Sequence, residues 1–426
     1  MNLNDTEIMK GILCKKGYEI TEDQEEADVA IINSCAVREK AENKMYGKLG
    51  RLKALKNKNP NLIIGLGGCV AEKEGQSLLK KREVNFVFGT RNISDIDRMI
   101  KKAKSGKRFA EFDDMLDDVN YETPRMRDSN HHAWVTIIYG CNKFCSYCIV
   151  PYTRGREKSR KMKDILAEVK ELASNGYKEI TYLGQNVDSY GLDFSDDTSF
   201  AKLLKETCKI EGIERIWFLT SYPSDFSDEL IKVIAEEKKI SRFLHLPVQA
   251  GSNKILKAMN RRYSREEYLE LINKIKKNIP DAVLGADIIV GFPGETEEDF
   301  QESVKLVKEV RFERLNLALY SPRSGTLSAK TLEDDVPRKV KSDRLQFLMN
   351  LQKEINYEEN LCYISKQFEI ITEGKMKNGD YYGRINNNKL VVFPFSQKNE
   401  IGESVILEIK RVSSGLLFGE KVYEKV

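Results

Sequence analysis

The stretch Gly140-Cys141-Asn142-Lys143-Phe144-Cys145-Ser146-Tyr147-Cys148 sets three thiols in a C-x3-C-x2-C array directly after the apolar run 134–139. Three thiolates converging from one tight loop suit a [4Fe-4S] cluster, and with no fourth cysteine in the loop one iron is left without a protein ligand. Such an iron is open to a substrate or cofactor. A structural zinc site is the competing reading, but those sites are closed by four ligands in paired C-x2-C or H-x3-H spacings. No second pair follows here, although His131 and His132 stand upstream to complete a zinc shell.

Past Cys148 the chain continues Ile149-Val150-Pro151-Tyr152-Thr153-Arg154-Gly155-Arg156-Glu157-Lys158-Ser159-Arg160. The array with this continuation resembles the signature of radical S-adenosylmethionine methylthiotransferases of the MiaB type, which act on tRNA, and the resemblance runs from the first residues to the last. An open iron lets S-adenosylmethionine chelate through its amino and carboxylate groups, and one electron passed to the sulfonium releases a 5′-deoxyadenosyl radical. The cofactor carries the difficult chemistry while the protein positions the target and excludes solvent. The resemblance implies the rest: a second cluster in the N-terminal domain holds the sulfur, one S-adenosylmethionine methylates it, and another activates the adenine C2–H bond. The implied product is 2-methylthio-N6-isopentenyladenosine beside the anticodon, and an electron-donor protein such as flavodoxin or ferredoxin is implied as a partner.

Sister enzymes that modify N6-threonylcarbamoyladenosine or a ribosomal protein share the cysteine loop and the C-terminal barrel. The stretches Tyr152-Thr153-Arg154-Gly155-Arg156-Glu157 and Leu183-Gly184-Gln185-Asn186-Val187 look like the isopentenyladenosine type. An alternative of another class is a non-enzymatic RNA-binding protein with structural zinc.

Length and composition bound these readings. A chain of 426 residues holds two or three domains, and 41% hydrophobic with 32% charged residues describes a soluble, core-forming protein. No apolar stretch is long enough to span a bilayer and the polar start is no signal peptide, so the expected location is the cytoplasm. A monomer is the expected state, though no feature of the sequence decides it. In that compartment the eight cysteines read as metal ligands or buried thiols, not disulfides. Net charge is only +4, with 70 Lys and Arg against 66 Asp and Glu. The densest basic stretch, 154–163, is either a solvated helix start or a set of phosphate contacts.

The expected fold class is α/β, in four parts. Residues 1–103 alternate helix (5–15, 38–55) with apolar runs (28–33, 61–66, 84–88), the pattern of an open parallel sheet wrapped by helices. Cys35 and Cys69 follow two of those runs, and thiols at equivalent strand ends are expected to face one crevice, as ligands of an auxiliary cluster. The chain opens on a helix, with Asn4 or Asp5 as N-cap, where the family pattern has a strand ending in a cysteine before a pair like Met1-Asn2. A third auxiliary ligand is therefore missing. The favoured expectation is a chain truncated upstream, the alternative a degenerate auxiliary site; as given, the chain would assemble the first cluster but insert sulfur poorly, and Cys14, a possible substitute ligand, reads rather as a buried thiol. Residues 104–132, with Asp113, Asp114, Asp117 and Asp118, read as a linker.

Residues 133–360 repeat strand and amphipathic helix, with strands at 134–139, 179–183, 215–219, 243–246, 283–290 and 314–320: a partial (β/α)6 barrel whose chemistry gathers at strand carboxyl ends. Gln185 and Asn186 follow the second strand, where relatives contact the methionine end of S-adenosylmethionine, and Gly291-Phe292-Pro293-Gly294-Glu295-Thr296 resembles the fifth-strand motif near the adenine. His245 reads as a satisfied structural histidine and Cys208 as a core thiol. After a long helix at 338–360, residues 361–426 show short strands separated by Gly and Asn, a small all-β barrel resembling a TRAM domain. Arg384, Lys389, Lys410 and Arg411 with Tyr381 and Tyr382 are its candidate RNA contacts.

Overall fold

A computed structural model of the chain describes residues 1–36, 39–113, 123–394 and 401–422. Its contacts gather into two compact units: Met1–Ser129 with Ile138–Glu168 and Arg323–Lys330, and Asn130–Ile137 with Val169–Pro322 and Thr331–Val426. Among the described residues no helix is long and apolar enough to cross a membrane.

The first unit is built on a parallel sheet of β1 (Val29–Ser34), β2 (Ile63–Gly68), β3 (Phe86–Phe88) and β4 (Phe109–Glu111), in that order. Side chains alternate across β2: Ile64 and Leu66 pack under helix Glu39–Lys58, while Ile63 packs with Ile8 and Met9 of helix Asn2–Lys15 and with helix Ile96–Lys104. Three departures from the sequence reading appear here. β4 lies inside the stretch read as a linker, a strand too short to display a period. The opening helix starts at Asn2, with Met1 and not Asn4 or Asp5 as its N-cap, and those two residues are buried within it. Cys14 is exposed, with its Sγ 3.7 Å from Met126 Sδ, and is not a buried thiol. Arg38 and the acidic residues Asp114, Asp117 and Asp118 lie outside the described residues.

The apolar run before the cysteine loop is two elements, not one. His132–Thr136 forms β5, after which Ile138–Tyr139 (β6) pairs antiparallel with Lys158–Ser159 (β7). In the second unit β5, β8 (Glu179–Leu183) and β9 (Arg215–Phe218) form one parallel sheet, and β10 (Phe243–His245), β11 (Val283–Val290) and β12 (Arg314–Leu319) another. A parallel bridge between Ile216 and Ile240 joins them, completing the six-stranded partial barrel. Tyr182 stands edge-on to Phe200, which stands edge-on to Phe218, so these side chains face helix Phe200–Cys208. Alternation then turns Thr181 and Trp217 into the lumen. Capping boxes start the outer helices Arg265–Asn278 (Ser264 with Glu267) and Glu297–Val310 (Thr296 with Asp299).

Beyond helix Arg338–Leu361, strands β13 (Gln367–Lys375), β14 (Tyr381–Arg384), β15 (Leu390–Phe393), β16 (Ser404–Val412) and β17 (Leu417–Lys421) close a barrel in the order β13-β14-β15-β17-β16. Several expected RNA contacts do other work. Tyr381 is core, Arg384 pairs with Glu373 while its carbonyl accepts from Arg215 Nη1 at 2.9 Å, and Lys389 pairs with Glu313.

Candidate active site

The cysteine loop is clamped by its own flanks. Gly140 has φ +71°, and a Cβ there would meet the Arg156 carbonyl, so β6 can hand over to the loop only through glycine. Cys141 N–H donates to Gly155 O at 3.1 Å. Asn142 N–H donates to Glu157 Oε1 at 3.0 Å and Glu157 N–H returns a bond to Asn142 Oδ1 at 3.3 Å. Phe144, itself at φ +49°, lies under the Arg156 guanidinium at 4.3 Å and edge-on to Tyr152. Cys148 N–H donates to Cys145 O at 2.9 Å, closing the turn that leads into helix Val150–Arg154. Burial, reinforced by the neighbouring Glu157 and Cys145, pushes the Cys141 thiol up to about 12, so loading the site must displace its proton.

Ser34 pairs with Gly68 in the β1–β2 register, so Cys35 and Cys69 are the next residues on adjacent parallel strands, side by side at their carboxyl ends. Cys69 is buried and opens helix Cys69–Glu74, which packs against helix Val150–Arg154. Arg154 closes that junction. Its buried guanidinium donates to Asp5 Oδ2 at 2.7 Å and to Asn2 Oδ1 at 3.1 Å, and also hydrogen-bonds the Cys69 sulfur. Both thiol sets thus belong to one compact unit, joined through a residue six positions past Cys148. Arg160 is also engaged: with Arg125 and Arg127 it surrounds the buried Glu168 carboxylate, whose pKa these charges hold down against burial. Of the basic stretch, Arg156, Lys158, Lys161 and Lys163 stay exposed.

Three sulfur donors on one clamped loop are the donor chemistry of an iron–sulfur site. Among the described residues no group of three or more His, Cys, Asp or Glu side chains stands close enough to hold a metal ion, Cys141, Cys145 and Cys148 included. The histidines considered for zinc have other partners: His132 Nε2 lies 2.7 Å from Thr181 Oγ1 and His131 Nδ1 3.3 Å from Asn130 Oδ1.

In the second unit Asn186 Nδ2 donates to Ser189 Oγ and to Asp225 Oδ2, both at 2.6 Å, which aims the amide. Asn186 Oδ1 and Gln185 Oε1 are buried acceptors with no hydrogen-bond partner among the described residues. That deficit is what a ligand's N–H groups remove. The loop beginning at Gly291 is a built element: the buried Glu295 carboxylate accepts from Gly291 N–H at 2.6 Å and pairs with Arg344 at 2.8 Å. Thr220 and Gln249, after β9 and β10, hold φ +73° and +78°, backbone strain that no sequence signal announced. His245 is satisfied as expected, with Nε2 3.3 Å from Asp287 Oδ1. Cys208 is half-buried and not a core thiol, though burial still pushes its thiol up to about 12.

A partial (β/α)6 barrel with a three-thiol loop defines a radical S-adenosylmethionine enzyme, and the radical SAM superfamily model matches residues 135–307. The TRAM domain model matches residues 363–422, and uncharacterized protein family UPF0004 matches residues 1–89. Among solved structures, a radical S-adenosylmethionine methyltransferase, TsrM from Kitasatospora setae, superposes with TM-score 0.54 at 14% identity over 74% of this chain and 71% of that one, a likeness of fold. Curated relatives go further. Those of Petrotoga mobilis and Thermosipho africanus are each 56% identical, covering 99% of this chain and 97% and 96% of theirs, and Thermotoga petrophila has one at 54%. The chain belongs to the family of tRNA-2-methylthio-N(6)-dimethylallyladenosine synthases.

Proposed function

We propose that this chain places a methylthio group on C2 of N6-isopentenyladenosine beside the anticodon of tRNA. The observation that carries this reading is the pairing, inside one compact unit, of the clamped Cys141, Cys145 and Cys148 loop with Cys35 and Cys69 at adjacent strand ends. The loop thiols hold a [4Fe-4S] cluster, and Cys35 and Cys69 contribute to an auxiliary one that holds the sulfur. When bound, the loop's cluster supplies the electron that cleaves S-adenosylmethionine to the 5′-deoxyadenosyl radical. Gln185 and Asn186 offer their unpartnered amide oxygens to the cofactor's methionine end. Exposed Arg156, Lys158, Lys161 and Lys163, with the C-terminal barrel, meet RNA phosphates. The enzyme works as a cytoplasmic monomer supplied by a donor such as flavodoxin or ferredoxin.

The test is anaerobic reconstitution followed by iron and sulfide analysis, then S-adenosylmethionine, reductant and tRNA carrying either N6-isopentenyladenosine or N6-threonylcarbamoyladenosine. Methylthiolated isopentenyladenosine with 5′-deoxyadenosine is expected. Product on the threonylcarbamoylated tRNA alone refutes the substrate, and a colourless protein with stoichiometric zinc refutes the chemistry.

A further inference from the structure

The cysteine loop carries aromatic surface that holding a cluster does not require. Phe144 stands between Cys141 and Cys145 at φ +49°, a backbone state that a bulky residue seldom takes and that functional sites retain. Its ring meets the Tyr152 ring edge-on, with centroids 6.2 Å apart, and the Arg156 guanidinium lies over it at 4.3 Å. Tyr152 keeps 52% of its surface in solvent, although the next two residues of its short helix, Thr153 and Arg154, are buried. A lone exposed tyrosine is ordinary. This one is braced by a strained phenylalanine and edged by the exposed cations Arg156, Lys158, Lys161 and Lys163, while the acidic Glu157 is turned back to accept from Asn142 N–H. Aromatic faces set among cations are what a single-stranded nucleic acid needs, bases stacking on the rings and phosphates meeting the charges.

Resting on the substrate reading above, we propose that Tyr152 and Arg156 stack a base that neighbours the modified adenosine and hold the anticodon loop open while that adenosine is turned out. An adenine stacked within the loop does not present C2 to an outside reactant, so the nucleotide must leave the stack. Its departure uncovers a face of each neighbour. A tyrosine ring or a guanidinium plane covers such a face whatever the base, because every base has one. The N–H edge of Arg156 stays available to a phosphate. The platform springs from the loop that carries Cys141, Cys145 and Cys148, so a base held there lies beside the adenosine that the loop's cluster serves. Stacking of this kind asks for no hydrogen bond and selects no sequence; it fixes position.

The test uses the full chain and isopentenylated anticodon stem-loop RNAs in which 2-aminopurine replaces the base on one side or the other of the modified adenosine. Stacking quenches 2-aminopurine, and anisotropy gives the dissociation constant. Affinities are taken on the reconstituted and on the metal-free chain, so that a change in cluster content cannot mimic a change in stacking. Tyr152→Leu keeps an apolar side chain against Phe144 but has no ring face. It is expected to weaken binding about tenfold, the contribution of one base–aromatic stack, and to brighten one of the two probes. The loss should be equal at low and high salt, since a stack releases no counterions. Tyr152→Phe and Tyr152→Trp should bind within about threefold of wild type. Arg156→Lys, which keeps the charge and loses the plane, should weaken binding with the salt dependence unchanged. A Tyr152→Leu chain that binds and quenches like wild type overturns the proposal, as does one that loses iron and sulfide while its hairpin affinity stays intact. A wild-type chain that binds neither RNA overturns the substrate reading beneath it.

Discussion

Replacing Arg154 by methionine probes the junction between the two thiol sets. The guanidinium is 6% exposed and Asp5, its partner, 3%. Burial opposes the charge on Arg154, but the Asp5 carboxylate and the Cys69 sulfur together outweigh it and hold the guanidinium above its ordinary pKa. Removing one member of a buried pair strands the other, at about 3–5 kcal/mol. At about 2–4 °C per kcal/mol, Arg154→Met should lower the melting temperature of the unit by about 10 °C. Neutralising both partners, as Asp5→Asn with Arg154→Met, should recover part of that loss, since no uncompensated charge then remains. Arg154→Lys should fall between, because an ammonium keeps the charge without the fork that spans Asp5, Asn2 and Cys69. Circular dichroism melts of the reduced, metal-free chain at pH 7 read all three. A single variant melting within about 2 °C of wild type, or a double no more stable than the single, refutes the reasoning.

Burial, only partly offset by Arg215, raises the Glu179 carboxyl to about 7. From about pH 4.5 to 7 the unfolded chain therefore gives up a proton that the folded chain keeps, so stability falls as pH rises through that window, by about 3 kcal/mol, and levels off above it. Glu373, also raised by burial, adds to the slope, and Glu179→Gln should flatten it in melts taken across that range; equal slopes count against the assignment. Gly140→Ala forces a Cβ into the Arg156 carbonyl at a left-handed φ, at a cost of about 1–3 kcal/mol. Iron and sulfide bound after reconstitution should drop by about half or more, and full loading would show that the loop tolerates the shift. Asp225→Asn removes the carboxylate that accepts from Asn186 and Ser189, and calorimetry should find S-adenosylmethionine bound about tenfold more weakly with hairpin affinity unchanged.

What the sequence disclosed follows what each signal depends on. Cysteine spacing is local, and the strand period at Glu179–Leu183 and Val283–Val290 is unbroken, so those elements stand where the pattern puts them. The run before Cys141 misled because an apolar stretch does not show where a strand turns, and the antiparallel pairing with Lys158–Ser159 is what bends it. Charges misled more. Arg154 and Arg160 read from sequence as solvated or phosphate-seeking, yet the first meets Asp5, 149 residues away in the chain, and the second meets Glu168 in the interior. Pairing that only the folded arrangement brings about has no period and no motif.

The segment Tyr152-Thr153-Arg154-Gly155-Arg156-Glu157, recognisable as a signature but silent about its purpose, acquires a physical role from these contacts. Tyr152 and Arg156 hold Phe144 between them, Gly155 and Glu157 accept the N–H groups of Cys141 and Asn142, and the Thr153 carbonyl accepts from Thr90 Oγ1 at 2.8 Å. Arg154 reaches Asp5 and Cys69. Side chains and backbone so committed to the cysteine loop and the N-terminal sheet have little left with which to read a base.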